Sequence, residues 1–444
     1  MIPVQVALPS GRSTVFSIEK SSSVKELKNL TQKSFRQGFL QLVTAEGRHL
    51  TDLTEPFEAA GIKEEDDLTA IALQPQLQAT SSAFALWCAG GDRIVTWGAQ
   101  KYGGDRSAVQ HQLRGVQQVR GTFAAFAALL TDGSVITWGD ATSGGDSSEV
   151  QHQLRNVQQL EASRSAFAAI LADRSVVTWG AGCTGGDSSA VQDQLKRVQQ
   201  IQATVSSDAF AAILADGSVV TWGAPTYGGD SSKVQHQLRN VQHIKAAYPG
   251  FAAILEDGSV VSWGKPDCDS SNVQRQLRSV QQLQATCAAF AAILTDGSVI
   301  TWGNPDFGGD SSKVQHQLTN VQQLQATSTA FAAILADRSV VTWGSLYSGG
   351  GSSKVQNQLQ DVQGIEATDS AFAAILADGS VVTWGAPARG GDSSKVQHQL
   401  QNVRKLYGSK GAFAAILADG SLITWGEPNG GGDSSGVEDQ LTSL

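Results

Sequence analysis

Three motifs in this chain have residue types that chemistry uses, and none has the surroundings that chemistry requires. Gly432-Asp433-Ser434-Ser435-Gly436 matches the GxSxG spacing of a nucleophile elbow, in which a sharp strand-to-helix turn lifts the serine hydroxyl above a sheet. The same slot reads Gly391-Asp392-Ser393-Ser394-Lys395 and Gly229-Asp230-Ser231-Ser232-Lys233 elsewhere, with no strand leading into it, so no catalytic serine is expected. His111, His152, His236, His316 and His398 occupy one recurring position, which could suggest a metal ladder. Other copies of that position hold Asp193, Arg275, Asn357 and Asp439. A slot that accepts both charge signs is a solvated face, and the spacing of the copies keeps the imidazoles too far apart to share a metal at ~2.1 Å. The frequent Gly-Gly-Asp lacks the short period of calcium-binding β-rolls, and no glycine-rich phosphate loop follows a strand. Neither a metal nor a cofactor is expected, and the chain reads as no enzyme.

What positions these motifs is an internal repeat. Trp-Gly recurs at Trp97, Trp138, Trp179, Trp222, Trp263, Trp302, Trp343, Trp384 and Trp425, with gaps of 41, 41, 43, 41, 39, 41, 41 and 41. A fixed period of this size marks a propeller or solenoid whose units bury their faces only against neighbours. In residues 362 to 402, Val362 to Ala367 reads as a first strand, Phe372 to Ala377 as a second and Ser380 to Trp384 as a third. Asp378-Gly379 predicts a two-residue type I′ turn, because glycine takes positive φ without strain. The second and third strands are apolar on both faces, as strands covered on both sides must be. Val396, Leu400 and Val403, behind Asp392 and Ser393 as caps, predict about two helical turns leading into the next unit. The tryptophans read as packing core rather than ligand lining.

Comparison of the units separates scaffold from decoration. The Asp-Gly turn, the Trp-Gly strand and the Val-Gln-x-Gln-Leu segment scarcely change. Two segments vary: the link between first and second strands, such as Val205-Ser206-Ser207-Asp208 or Tyr248-Pro249-Gly250, and the loop after Trp-Gly, such as Pro225-Thr226-Tyr227 or Leu346-Tyr347-Ser348. Strand direction places both at one end of each unit. The expected recognition surface for a protein partner comprises Tyr102, Tyr227, Tyr248, Phe307, Tyr347, Arg389 and Tyr407, aromatic anchors of the kind enriched at interfaces.

The first residues follow a different rule. Segments 2 to 8 and 13 to 19 alternate about Ser10-Gly11-Arg12 as a hairpin; Ser21 to Ser23 cap a helix carrying Val24, Leu27 and Leu30; Phe39 to Val43 and Leu68 to Leu73 are further strands. This order resembles the ubiquitin family over residues 1–73, with Leu42 to Leu50 similar to its central strand and turn. The resemblance implies docking to ubiquitin receptors or the proteasome through Leu8, Val43 and Ile71. Where that family's conjugated members end in two glycines, Gln74-Pro75-Gln76 leads on into residues 74–444, so the segment is not expected to be a conjugated modifier.

The repeat motif apolar-Ala-Ile-Leu-x-Asp-Gly-Ser-Val-x-Thr-Trp-Gly resembles the regulator-of-chromosome-condensation superfamily, and its period is nearest the three-stranded β-lactamase-inhibitor branch. The fold this implies is mainly β: a propeller-type array of nine units, as a closed ring or an open spiral, behind a small α+β β-grasp domain. The function it implies is a protein-binding scaffold or adaptor in the ubiquitin pathway. Regulation of a small GTPase or another enzyme, or a non-catalytic place in a ubiquitin ligase, follows from other relatives.

Bulk properties agree with protein partners. The formal net charge of −9 supplies no basic field for nucleic acid or an anionic membrane. No apolar run approaches the ~20 residues of a membrane span, and the N-terminus lacks the pattern of a signal peptide. Cys88, Cys183, Cys268 and Cys287 have no zinc or disulfide spacing, so a reducing, cytoplasmic or nuclear compartment is expected.

Overall fold

A computed structural model describes residues 1–35, 40–50, 53–63, 66–73, 75–88, 93–204, 208–248, 250–419 and 421–435. The N-terminal elements are β1 (Ile2–Ala7), β2 (Ser13–Ile18), α1 (Val24–Phe35), β3 (Leu40–Thr44) and β4 (Asp67–Ala72). They form one mixed sheet in the order β2-β1-β4-β3. β1 pairs antiparallel with β2 and parallel with β4, Val6 lying opposite Leu68. The alternation of β1 sends Ile2, Val4 and Val6 inward, where Val24, Leu27 and Phe35 of α1 close the core. This is the β-grasp arrangement, and it follows from a hairpin, a crossover helix and a returning strand.

Nine three-stranded antiparallel sheets follow. We number these blades 1 to 9, with strands spanning 75–98, 116–139, 157–180, 198–223, 241–264, 280–303, 321–344, 362–385 and 403–426. In blade 8 the inner strand Val362–Ala367 pairs with the middle strand Ala371–Leu376, which pairs with the outer strand Val381–Gly385. Blades stack face to face, large on small: Phe372, Val382 and Trp384 of blade 8 pack against Ala330, Ala332 and Ile334 of blade 7. Each Trp-Gly tryptophan stacks on a phenylalanine of its own blade, Trp384 on Phe372 at 5.2 Å. Its indole N–H then crosses to the preceding blade's loop, donating to the Gly349 carbonyl at 3.0 Å. The tryptophans are therefore buried packing residues, as expected.

The ring closes. Ala412, Ala414 and Ile416 of blade 9 pack against Phe84, Leu86 and Trp97 of blade 1. Trp97 donates to the Gly431 carbonyl beyond blade 9 at 3.2 Å, the same bond that joins every other pair of neighbours. The inner strand of blade 9 adjoins that of blade 1, completing a circle of nine inner strands about one axis. The open spiral is thus excluded for these residues.

Two local expectations are corrected. The Asp-Gly turn is not type I′: only Gly379 has positive φ (80°), and Ala377-Asp378-Gly379 forms a three-residue loop closed by Gly379 N–H to Leu376 O at 2.9 Å. This is the type I turn followed by a left-handed residue that three-residue hairpins favour. Nor is the turn constant, since Arg174 and Arg338 hold the glycine position at φ 67° and 64°. The Val-Gln-x-Gln-Leu segment is not an α-helix either. Residues 397–399 form a single 3-10 turn, Asn402 turns left-handed at φ 56°, and Val403 opens the next inner strand.

Candidate protein-binding face

The links and loops meet at one end of the ring because each is tied to the other. In blade 8, Thr368 of the link donates to the carbonyl of Arg389 in the loop at 3.0 Å, and the Ala386 N–H reaches back to the Ser370 carbonyl at 2.8 Å. Equivalent threonine or serine bonds recur in blades 2, 3, 6, 7 and 9. Each loop is bolted at both ends. Gly385 (φ 105°) leaves no space for a side chain, whose Cβ would stand 2.6 Å from the Ser370 carbonyl oxygen. Gly390 (φ 94°) lies against Phe413 of the following blade, where a Cβ would meet the ring at 2.6 Å. Between such anchors only about three residues per loop can change without disturbing packing.

One aromatic group on this face joins two blades. Tyr227 from the loop of blade 4 meets Tyr248 from the link of blade 5, their rings 5.2 Å apart and edge-to-face, their hydroxyls 3.2 Å apart. Lys265 places its ammonium 4.2 Å from the first ring and 5.2 Å from the second, the geometry of a cation–π contact. A second group centres on Phe123, with Tyr102 edge-on at 5.6 Å, the Lys410 ammonium at 4.7 Å and the Arg164 guanidinium at 5.8 Å. Tyr347 and Leu346 stand nearly free of the ring, 89% and 75% exposed. Arg389 shares its charge with Glu427 at 2.7 Å, and Phe307 is half-buried against the packing of blades 6 and 7.

Tyr407 belongs elsewhere. It lies within the inner strand Val403–Gly408, packs on the seam between blades 9 and 1, and donates from its hydroxyl to the Pro75 carbonyl at 3.0 Å. Its place is corrected from the recognition face to the closure of the ring, because an inner strand beside the seam turns its side chains toward the neighbouring blade. Residues 205–207 and Pro249 lie outside the described residues.

Sequence reasoning passed over Phe123, Lys265, Lys410 and Asp208. The signal was present: all four fall in or beside the variable segments, where weight went to the tyrosines and, beside them, to Phe307 and Arg389. Asp208 has a buried Oδ1 without a hydrogen-bond partner, and burial raises its pKa. In the N-terminal sheet Ile71 is 37% exposed, Val43 only 7%, and Leu8 is half-buried on the core. The three are not an open patch of equal members. β3 continues into a turn that pairs His49 with Val43.

Burial pushes the Cys88 and Cys268 thiols up to about 12, so neither is a thiolate nucleophile at neutral pH. Ser434 accepts from Thr424 at 3.1 Å as one more copy of a structural bond found in the other blades. Among the described residues no group of three His, Cys, Asp or Glu could hold a metal, and no helix is long and apolar enough to cross a membrane.

No family model matches the chain, and no curated protein matches it. Among solved structures, Prp20p from Saccharomyces cerevisiae, described with its binding to Gsp1p and histones, is similar at 14% identity over 72% of this chain and 85% of its own, with a TM-score of 0.36. Human WBSCR16 is similar at 15% identity over 64% of this chain and 80% of its own, with a TM-score of 0.34. A ubiquitin-like domain of Arabidopsis thaliana protein At2g32350 matches at 22% identity over 16% of this chain and 73% of its own, with a TM-score of 0.15.

Proposed function

We propose that this chain is a non-enzymatic protein-binding scaffold that works in the cytoplasm or nucleus. The ring recognises a protein partner through its link-and-loop face, and residues 1–73 join it to ubiquitin-dependent machinery. One observation carries the first half: the segments that vary most between otherwise near-identical blades lie at one end of a closed ring, and there they gather Tyr227, Tyr248 and Lys265 into a cluster and leave Tyr347 in solvent. Rigid aromatic anchors among adaptable polar residues are what a protein interface uses. For the second half the support is the β-grasp sheet and the exposure of Ile71, so a receptor contact centres on Ile71 and Leu8 rather than on Val43.

The test compares two sets of variants against a partner captured with the full chain. Tyr227→Ala and Tyr347→Ala should each weaken the partner by about 2 kcal/mol, with the stability after Tyr347→Ala unchanged. Gly379→Ala, on the opposite face, should cost ~1–2 kcal/mol of stability through its left-handed φ and spare the partner. Loss of the partner on Gly379→Ala with retention on both tyrosine variants would place recognition on the other face and defeat the proposal.

A further inference from the structure

One ammonium beside the axis of the ring has no ion-pair partner among the described residues. One inner-strand position, the fifth of the motif Val-Gln-Gln-Leu-x, recurs around the axis as Gln78, Arg120, Glu161, Gln202, Lys245, Gln284, Gln325, Glu366 and Tyr407. Where blade 2 places Arg120 there, blade 3 answers with Glu161 at 3.3 Å. Where blades 6 and 7 place glutamines, the Gln284 amide donates to the Gln325 side-chain oxygen at 2.9 Å. Lys245 is flanked by Gln202 and Gln284, and among the described residues no carboxylate lies within ion-pairing distance of it. Burial alone pulls its pKa below the ordinary lysine value, with no anion to oppose the shift. A half-buried ammonium without a carboxylate partner is one that an incoming anion can pair with.

Lys245 opens into a cavity of about 400 Å³ on the axis, at the link end of the ring. Its wall includes Gln78, Gln284 and Gln325, and at its mouth stand Tyr248, Lys410 and Asp369. Among the described residues of that lining Asp369 is the only carboxylate, and it is hydrogen-bonded to Ser328. The volume holds a carboxylate-bearing side chain with several waters, each of about 30 Å³. Gln284 spends both of its N–H donors within the chain, on the Gln325 side-chain oxygen at 2.9 Å and the Leu324 carbonyl at 3.5 Å, whereas Gln325 donates to the Ile365 carbonyl at 3.3 Å and keeps a second N–H for a ligand.

We propose that the axial cavity receives a carboxylate from an acidic segment of the protein partner, with the Lys245 ammonium as counter-ion and the Gln325 amide as a neutral donor. This rests on the link-and-loop face being the recognition surface, because the mouth of the cavity opens at the centre of that face, beside Tyr248. A segment seated on the axis would be reached by links from most blades at once, while the outer loops hold the body of the partner.

The test uses the full chain and calorimetric titration with a four-glutamate peptide blocked at both ends, its four-glutamine counterpart and free glutarate. Lys245→Gln restores the residue that Gln78, Gln202, Gln284 and Gln325 provide elsewhere, so the variant keeps a side chain the fold already accepts. The acidic peptide should bind the natural chain and bind Lys245→Gln at least tenfold more weakly. Lys354→Gln, which removes an exposed charge away from the axis, should leave binding unchanged, and the neutral peptide should not bind. Failure of the acidic peptide to bind, or equal binding to Lys245→Gln, overturns the assignment of the cavity. Glutarate binding as tightly as the peptide overturns the assignment to a protein segment. Partner capture by the tyrosine variants reads a different surface, so either failure leaves the protein-binding reading to be judged separately.

Discussion

At the residue scale the tryptophans hold the molecule together by two bonds of different kinds. Trp302 stacks on Phe290 at 5.2 Å within its blade and donates across the interface to the Cys268 carbonyl at 3.2 Å. The acceptor is a cysteine because the loop of blade 5 lacks the Gly-Gly of its siblings, which also accounts for the gap of 39 between Trp263 and Trp302. Trp302→Ala should cost roughly 3–5 kcal/mol, the usual loss for deleting a buried aromatic. Trp302→Phe keeps a ring for Phe290 and should lose about 1 kcal/mol, the net worth of a hydrogen bond, plus the volume of the missing ring. The two urea midpoints, measured side by side, separate packing from bonding; an unchanged midpoint for the alanine variant would contradict the packing role.

At the element scale, strands and their order were legible in the sequence because Phe-Ala-Ala-Ile-Leu and Val-x-Thr-Trp-Gly are apolar on both faces and bounded by Asp-Gly. The segment read as a helix shows why legibility stopped there. Val396 and Leu400 are four apart and inward, which fits a helix, yet what their neighbours satisfy is not a helical ladder. Ser393 donates to the Gln397 side-chain oxygen at 2.6 Å, and the Gln397 amide donates to the Val381 carbonyl at 2.9 Å. This glutamine thus ties the turn to the outer strand, a tertiary bond that periodicity cannot reveal. The hairpin turn was misread for a related reason: Asp378 bonds the Ser380 N–H through its own side chain at 2.9 Å, allowing a right-handed aspartate and a single left-handed residue. Those bonds from Ser380 hold the Asp378 carboxyl below its usual pKa. Arg174 and Arg338 carry the left-handed strain that glycine avoids elsewhere. Arg338→Gly should therefore raise the urea midpoint, by up to about 1 kcal/mol once the greater freedom of glycine in the unfolded chain is set against the relief. A lowered midpoint would show that the arginine side chain stabilises the turn by more than the strain costs.

At the scale of the whole molecule, nine blades close without any strand shared between the first and last, so the seam depends on the same contacts as every other interface. Gly431 lies against Phe84 across the seam as Gly390 lies against Phe413 between blades 8 and 9. Gly431→Val and Gly390→Val should lower the thermal midpoint by similar amounts; a neutral Gly431→Val beside a damaging Gly390→Val would mean that the ring opens there in solution. Closure was not legible in the sequence, because it depends on a small rotation per blade summed nine times, whereas the count of units and their polarity were. The same polarity sets the direction of recognition. The most direct measurement is the hydrogen-exchange footprint of a captured partner on the full chain. Slowed exchange confined to the links and loops, at residues 225–228, 247–248 and 345–348 and around the axial Lys245, is the predicted result. Protection confined to the Asp-Gly turns at the other end of the ring would contradict the account.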